Sequence, residues 1–373
     1  MHKHLYFFLL PLLWFIACKS EFPNPSKDFM VLEEISYVKD FPINVTLSES
    51  EDTGFDIIGM ANFKILDSIL FVPVKREADG FWQFYSMASK DMKAKLLSIG
   101  QGPNEFSNSV LSENQFSITN NGGDVFASIF DSRKGEIYKF NVSKTLLSHD
   151  LDMKIVSDNL SNMTLVVKEY GEDGFLCREL SPEMTQQNRF LLKNGNKKVP
   201  DVLEKLNRAK ISGESAVADM NILSTAIRVH EGLAIEMPIY LNYFNMYTLD
   251  GKMSKTICPQ EQLTKISEVQ SLKEPQRIHT FSAINTFNHF FGVSFYNHPW
   301  GDEDSGLVKP SQIQFYDYEG QPLAAVSINN NVSFFDIDFR EGYLYVFSSR
   351  TDEFVKYNIK ELLSQIEALY ART

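Results

Sequence analysis

Short apolar strands recur along this chain at intervals close to the size of one small antiparallel sheet. Each unit has an apolar-x-apolar strand, a polar turn and a second apolar strand, and the units are anchored on Tyr85, Phe140, Leu192, Tyr247, Tyr316 and Tyr357. The steps between these anchors are 55, 52, 55, 69 and 41 residues. Four antiparallel strands repeated every roughly 40 to 55 residues are typical of β-propeller blades. Six anchors therefore predict an all-β, six-bladed β-propeller with four-stranded antiparallel blades. A pair of β-sandwiches or a seven-bladed ring is the alternative, although no seventh anchor is found.

The local pattern agrees with strands rather than helices. The chain has 30 Phe and 15 Tyr residues, many of them in alternating runs such as 135–140 and 342–347. Alternation at period two with aromatic enrichment predicts strands. The turns contain pairs such as Asn194-Gly195 and Asp250-Gly251, which favour hairpins.

Both ends of the repeat region suggest how the ring closes. Residues Phe41 to Leu47 read as a lone strand before the first complete unit, and Ile359 to Leu369 read as a helical tail after the last one. A ring whose two ends share one sheet leaves no open edge between them. We therefore expect the N-terminal strand 41–47 to complete the final blade.

The first 18 residues predict where the protein is located. Lys3 precedes an apolar run from Leu5 to Ile16, which is too short to span a bilayer and ends at Ala17-Cys18. This pattern predicts a lipoprotein signal peptide over 1–17 and acyl chains, such as palmitate, on Cys18. An ordinary cleaved secretory signal is the alternative. We expect residues 18–34 to be the lipid anchor and tether, residues 35–373 to be the propeller, and the protein to lie at the outer membrane, periplasmic or surface-exposed.

Charge and cysteine content limit the partners further. The formal net charge of −12 argues against nucleic acid as a partner, because phosphates require basic patches. The expected partners are therefore the membrane, which the protein would contact through its N-terminal lipid, and an unknown protein or glycan ligand. Cys177 and Cys258 lack metal-ligand spacing, and we expect two buried thiols, with a disulfide as the alternative.

The stretch Ser98-Ile99-Gly100-Gln101-Gly102-Pro103-Asn104-Glu105-Phe106 closes the first unit. This G-x-G-P-x-E-F pattern resembles bacterial TolB-like six-bladed β-propeller lipoproteins, and the resemblance implies the architecture but no catalytic residues. Gly100, Gly102 and Pro103 permit and fix a turn, and Glu105 is placed to accept backbone N–H groups at a blade junction. A ligand-binding loop is the alternative for these four residues.

The longest step, from Tyr247 to Tyr316, contains two additions to a minimal blade. One is the segment 260–274, whose apolar residues recur at helical spacing and therefore predict a helix. A short helix is also expected over 201–210, outside this step. The other is the loop 296–306. There Tyr296, His298 and Trp300 are candidates for stacking on a sugar ring, and Asp302, Glu303 and Asp304 offer oxygen ligands to calcium. A solvated surface loop is the alternative.

No arrangement typical of a catalytic nucleophile or zinc protease is found, and we expect His230 and His279 to be structural or exposed. We therefore predict a binding or scaffolding module of the cell envelope, with no catalytic residues. The alternative is a channel-centred metal-dependent hydrolase or lactonase. That enzyme needs at least three acidic or amide side chains facing one central cavity.

Overall fold

The computed structural model describes residues 27–370, apart from residues 103, 172–173, 214–215, 300 and 302–309. In this part of the chain the strands form six sheets, which we number as blades 1 to 6 in chain order. The prediction of an all-β, six-bladed propeller is confirmed. Each blade has four antiparallel strands, and blades 1, 4 and 5 carry a fifth strand that runs parallel to the outermost of the four.

The strand bounds are as follows. Strands β1 to β3 precede the first blade and comprise Glu34–Tyr37, Ile43–Leu47 and Glu51–Asp52. Blade 1 contains β4 to β8, which are Lys64–Leu66, Ile69–Pro73, Asp79–Ser86, Met92–Ile99 and Glu105–Phe106. Blade 2 contains β9 to β12, which are Phe116–Asn121, Asp124–Asp131, Glu136–Asn141 and Lys154–Ser157. Blade 3 contains β13 to β16, which are Thr164–Glu169, Gly174–Leu180, Gln187–Lys193 and Asn196–Lys198.

The second half of the ring repeats this arrangement. Blade 4 contains β17 to β20, which are Thr225–His230, Leu233–Pro238, Phe244–Thr248 and Ser254–Cys258. Blade 5 contains β21 to β24, which are Ile278–Thr286, Phe290–Pro299, Ser311–Asp317 and Pro322–Ile328. Blade 6 contains β25 to β27, which are Phe334–Asp338, Tyr343–Ser348 and Glu353–Asn358. The inner strands contact one another in the order β9, β13, β17, β21, β25 and β4, so the blades surround a central channel.

Among the described residues the core forms six hydrophobic clusters, each lying between two neighbouring blades. On β5, for example, Phe71 packs into the cluster shared with blade 2, whereas Leu70 and Val72 pack into the cluster shared with blade 6. Alternate side chains of a strand point to opposite faces, and in a propeller both faces are covered by neighbours. This packing explains why aromatic and β-branched residues occupy both faces of the strands. Cys177 and Cys258 are buried free thiols, as expected.

The N-terminal segment, residues 28–52, runs around the outside of the ring, and we call it the N-terminal belt. Strand β1 pairs with β20 of blade 4, β2 pairs with β24 of blade 5, and β3 pairs with β27 of blade 6. The expectation that 41–47 completes the final blade is therefore wrong. Ile43, Val45 and Leu47 pack on the cluster between blades 5 and 6 from the outer edge of blade 5, and the polar strand Glu51–Asp52 closes blade 6. The packed domain also begins before residue 35, the expected start of the propeller, because Met30, Val31 and Leu32 are buried in its core.

Helices are short and connect or flank the blades. They comprise Val142–Ser148, Asp201–Asn207, Ala216–Asp219, Ile266–Ser271 and Lys360–Tyr370, with 3₁₀ turns at Met220–Leu223 and Glu274–Gln276. The helices expected within 201–210 and 359–369 are confirmed. The segment 260–274 is helical only over its central part, because its buried apolar residues are Ile266 and Val269 while Leu272 is exposed. Within the described ranges, none of these helices has the length and apolarity needed to cross a membrane.

Candidate ligand-binding channel

A small cavity in the central channel is lined by charged side chains, and we call it the waist. Its cations are Lys64 on β4, Lys168 on β13 and Arg228 on β17, which come from blades 1, 3 and 4. Its acids are Glu113 and Glu169. The cavity that these residues enclose has a volume of about 60 Å³, which is enough for one small polar group. Residues that are far apart in sequence therefore converge at one point of the channel.

Lys168 is the most deeply buried lysine of the waist, with 5% of its surface exposed. Its Nζ donates hydrogen bonds to the carbonyl oxygens of Phe116, at 2.6 Å, and of Glu113. Both acceptors are neutral, so they do not compensate the charge of the ammonium group. Burial, with a smaller effect of the neighbouring Lys64, lowers the pKa of Lys168 to about 7.

The other two cations have partial compensation. Arg228 forms an ion pair with Glu113 and donates from Nη1 to the carbonyl oxygen of Ile227 at 3.1 Å. Burial lowers the pKa of Arg228 to about 10, although the charge of Asp336 opposes this effect. Lys64 donates to Oδ1 of Asn285 at 3.5 Å, and burial also lowers its pKa against the opposing charge of Asp336.

The acids near the waist are already engaged. Glu169 pairs with Lys139 at 2.5 Å and accepts a hydrogen bond from Ser128. Asp336 accepts from the backbone N–H groups of Ile65 and Ile337, each at 2.8 Å, and burial raises its pKa. Glu113 pairs with Arg228, Glu169 pairs with Lys139, and the Asp336 carboxylate acts on Lys64, so the charge of Lys168 is the excess positive charge of the waist.

The channel widens on both sides of the waist. One opening lies where turns join the first and second strands of each blade, and we call it the hairpin mouth. It has a volume of about 640 Å³ and is lined by polar residues that include Asn120, His230, Glu231 and Asn288. His230 stacks on Tyr318 with ring centroids 4.4 Å apart, and burial lowers the pKa of the imidazole.

The opposite opening lies where the chain passes from one blade to the next, and we call it the junction mouth. It has a volume of about 600 Å³ and shares Glu113 and Arg228 with the waist. One apolar residue on, or just before, the inner strand of every blade lines this mouth, and together they form what we call the apolar collar. Its members are Ala61, Leu111, Leu165, Ala226, Ala283 and Phe334.

The loop predicted to bind a ligand is described only in part. Tyr296 is 3% exposed, and its ring makes edge contacts with His279, at 5.8 Å between centroids, and with His298, at 4.8 Å. Trp300, Asp302 and Asp304 lie outside the described residues. Sugar stacking and calcium binding by this loop therefore stay predictions.

No group of three or more His, Cys, Asp or Glu residues within the described ranges is arranged to hold a metal ion. The hairpin mouth carries four acidic or amide side chains, Asp67, Asn120, Glu231 and Asn288, so the channel-centred metal-dependent hydrolase stays an alternative prediction.

The glycine-rich motif after β7 has the geometry expected for a blade junction. The N–H of Gly102 donates to the Glu105 carboxylate at 2.6 Å, and the N–H of Gly100 donates to the carbonyl of Phe106 at 3.0 Å. A Cβ atom at Gly100 would overlap Oε2 of Glu105, so a larger residue there would require the Glu105 carboxylate to move. Pro103 lies outside the described residues. The motif also contacts blade 2, because the Glu105 carbonyl accepts a hydrogen bond from Nζ of Lys134 at 2.6 Å and the Phe106 ring lies 5.2 Å from that of Tyr138.

The waist cations were not predicted from the sequence. Each cation lies beside apolar residues of an inner strand, as in Phe63-Lys64-Ile65, Val167-Lys168 and Ile227-Arg228-Val229, although Lys168 is followed by the charged Glu169. An alignment of the first strand of each repeat would have revealed these charges. Their convergence still depends on closure of the ring.

No family model matches the chain, and no curated protein matches it. Among solved structures it resembles the calcium-binding protein regucalcin from Agrobacterium tumefaciens, with 9% identity, a TM-score of 0.42, and coverage of 85% of this chain and 95% of that one. A streptogramin B lyase has 10% identity, a TM-score of 0.42, and coverage of 84% and 98%. The extracellular domain of a putative one-component system from B. thetaiotaomicron has 10% identity, a TM-score of 0.40, and coverage of 83% and 35%. Similarity at this level gives no information about activity or ligand.

Proposed function

We propose that this protein is a membrane-tethered propeller of the cell envelope that binds a small organic anion at the waist of its channel. The observation that carries the proposal is the convergence of Lys64, Lys168 and Arg228 from three blades on one cavity. A family relationship to TolB-like lipoproteins belongs to the same proposal and is supported by the motif at 98–106.

The position of Lys168 favours a binding role over a structural one. Transfer of a charged group into a protein interior costs several kcal/mol unless the charge is compensated. Here the ammonium group contacts two neutral carbonyl oxygens, so the fold gains little from its charge. A bound oxyanion supplies the missing negative charge. Strongly shifted ionisable groups in a cleft are also common at functional sites.

We expect acetate to stabilise the protein against heat, with a shift that increases with the logarithm of concentration above the dissociation constant. Lys168→Met should abolish this shift, because it removes the excess positive charge of the waist. Lys93→Met is the matched control, since Lys93 is exposed on β7 and lies far from the cations in the fold. The measurement is a thermal titration with acetate, with circular dichroism as a check on folding. An unchanged acetate response in Lys168→Met would contradict the proposal.

The same titration has a pH signature. With a pKa of about 7 in the free protein, Lys168 is largely neutral at pH 9, so anion binding there requires uptake of a proton. Acetate affinity is therefore expected to fall between pH 6 and pH 9. In Lys168→Met, this pH dependence should disappear together with the binding.

The membrane tether is a second part of the proposal, and it is supported by the sequence around Cys18. Cys18→Ala should release the protein from the membrane fraction, because acylation of this residue is the expected anchor. The measurement is fractionation after a high-salt wash, followed by detection of the protein in the soluble and membrane pools. Retention of the variant in the membrane pool would contradict the lipid anchor without affecting the channel site.

A further inference from the structure

We infer that the ligand is an amphiphilic monocarboxylate, which enters through the junction mouth, places its carboxylate at the waist and buries its apolar body against the apolar collar. This inference rests on the proposed function, because it uses the same waist cations, and it adds the chemical class of the ligand and the direction of entry.

The size and charge of the waist select the head group. A cavity of about 60 Å³ accommodates one small oxyanion but not a sugar or a nucleobase. After the pairs Glu113–Arg228 and Glu169–Lys139 are set aside, Lys168 contacts neutral acceptors only, whereas Lys64 contacts an amide oxygen and interacts with the charge of Asp336. A single negative charge on the ligand therefore balances most of the excess, whereas a multiply charged group would introduce new uncompensated charge.

The two mouths differ in charge, and this difference selects the route of entry. The hairpin mouth is lined by Lys64 and by the acids Asp67 and Glu231, so its formal charge is negative. The junction mouth is lined by Lys75, Arg178 and Arg228 and by one acid, Glu113, so its formal charge is positive. A cleft of one sign raises the local concentration of ligands of the opposite sign. An anion is consequently attracted to the junction mouth.

The apolar collar selects the body of the ligand. Each of the six blades contributes an apolar residue to it, and Leu111, Leu165 and Phe334 remain partly exposed. Apolar surface at the wall of a concave site is favourable for a ligand that covers it. Because the collar is continuous with the waist through Arg228, a carboxylate at the waist extends its hydrocarbon part into this mouth.

The N-terminal belt begins on the same side of the ring as the junction mouth. Asp28 accepts hydrogen bonds from the backbone N–H groups of Ile266 and Ser267, at 2.9 and 2.8 Å, in the connection between blades 4 and 5. Nine residues lie between Cys18 and Asp28, and the ten steps from one to the other reach at most about 35 Å. A lipid on Cys18 therefore keeps the junction mouth close to a membrane, where amphiphilic acids concentrate.

The test uses the full chain carrying Cys18→Ala, prepared without detergent, and isothermal titration with acetate, hexanoate, octanoate and octanol. Each buried methylene is expected to increase affinity roughly fourfold, so octanoate should bind at least 100-fold more tightly than acetate. Octanol lacks the charge and should bind at least tenfold more weakly than octanoate. Equal affinities for acetate and octanoate would overturn the inference but leave the anion site intact. Failure of both acids to bind would overturn the proposed function itself.

Substitutions at the two mouths test the direction of entry. Ala226→Phe fills the junction mouth and should reduce octanoate affinity at least tenfold while acetate affinity changes less than threefold. Ile239→Phe, which replaces a large side chain at the same mouth, gives a second variant if Ala226→Phe does not fold. Asn288→Phe at the exposed rim of the hairpin mouth is the matched control and should leave both affinities unchanged. The inference would be overturned if Asn288→Phe lost octanoate binding while Ala226→Phe and Ile239→Phe retained it, because the body of the ligand would then lie in the hairpin mouth.

Discussion

Glu236→Ala is expected to destabilise the protein by about 3–5 kcal/mol, because it removes the acid from a buried ion-pair network. Glu236 is 0% exposed, and its carboxylate accepts two hydrogen bonds from Nε of Arg189, at 2.8 and 2.9 Å. It also accepts from Thr225 at 2.6 Å and from Tyr247 at 2.9 Å, and Arg178 lies 3.8 Å away. Removal of the acid leaves two buried guanidinium groups without their carboxylate.

The pKa of Glu236 gives this prediction a pH dependence. Burial alone would raise the pKa, but the charges and hydrogen bonds of Arg189 and Arg178 outweigh it, so the pKa lies below its ordinary value. A carboxylate with a lowered pKa stabilises the fold above the unfolded-state pKa, which is about 4.3, and this contribution is lost as pH falls through the lower folded-state value. The difference between wild type and Glu236→Ala should therefore be full at pH 7 and shrink in acid.

Urea unfolding monitored by circular dichroism measures this effect. The matched control is Glu261→Ala, which removes the acid of an ion pair on the surface. In this pair the Lys39 side chain is 57% exposed and the Glu261 side chain is 82% exposed. Exposed pairs contribute little, so this variant should unfold at the wild-type urea concentration. A Glu236→Ala midpoint equal to that of wild type would contradict the account of the network.

Deletion of the N-terminal belt, residues 28–52, is expected to prevent folding or to cost several kcal/mol. The deletion exposes the outer edges of blades 4, 5 and 6 and removes Met30, Val31 and Leu32 from the core. The deletion also removes the hydrogen bond that the backbone N–H of Met30 donates to the hydroxyl of buried Tyr243 at 3.0 Å. The single substitution Leu32→Ala should by itself cost about 2–5 kcal/mol.

Thermal unfolding of a soluble form that starts at residue 27 provides the reference for the belt. Its melting temperature should equal that of Cys18→Ala, since the described contacts of the N-terminal segment begin with the Lys27 carbonyl, which accepts a hydrogen bond from the N–H of Lys210 at 2.9 Å. The deletion 28–52 should then melt far lower or be recovered as aggregate, because exposed strand edges pair with other chains. A deletion variant that melts with the reference would show that the belt is not part of ring closure.

The fold was predictable because its main signal is local. Alternating aromatic and aliphatic residues identify strands such as Tyr343–Ser348, and their regular recurrence gives the number of blades. Ring closure was predicted only in part, because the closing strand Glu51–Asp52 is two polar residues long and has no alternation to detect. The longer strand Ile43–Leu47 carries the alternation but lies one blade earlier.

The waist was not predictable from a single sequence. Lys64, Lys168 and Arg228 are separated by more than fifty residues from one another, and an alignment of the repeats would find these charges but would not show that they converge on one cavity. Sequence reasoning instead selected the loop containing Tyr296, His298 and Trp300, where aromatic and acidic residues are adjacent in the chain. Adjacency in sequence identifies loops, whereas a channel site is assembled by the topology of the whole ring.

The most direct test of the central claim is a crystal structure of the protein soaked with 8-bromooctanoate. We predict that the carboxylate lies within hydrogen-bond distance of Lys168 or Arg228 and that the bromine anomalous signal lies beside the apolar collar of the junction mouth. A carboxylate bound away from the waist, with the waist itself showing no ligand density at saturating concentration, would contradict the assignment of the channel as the binding site.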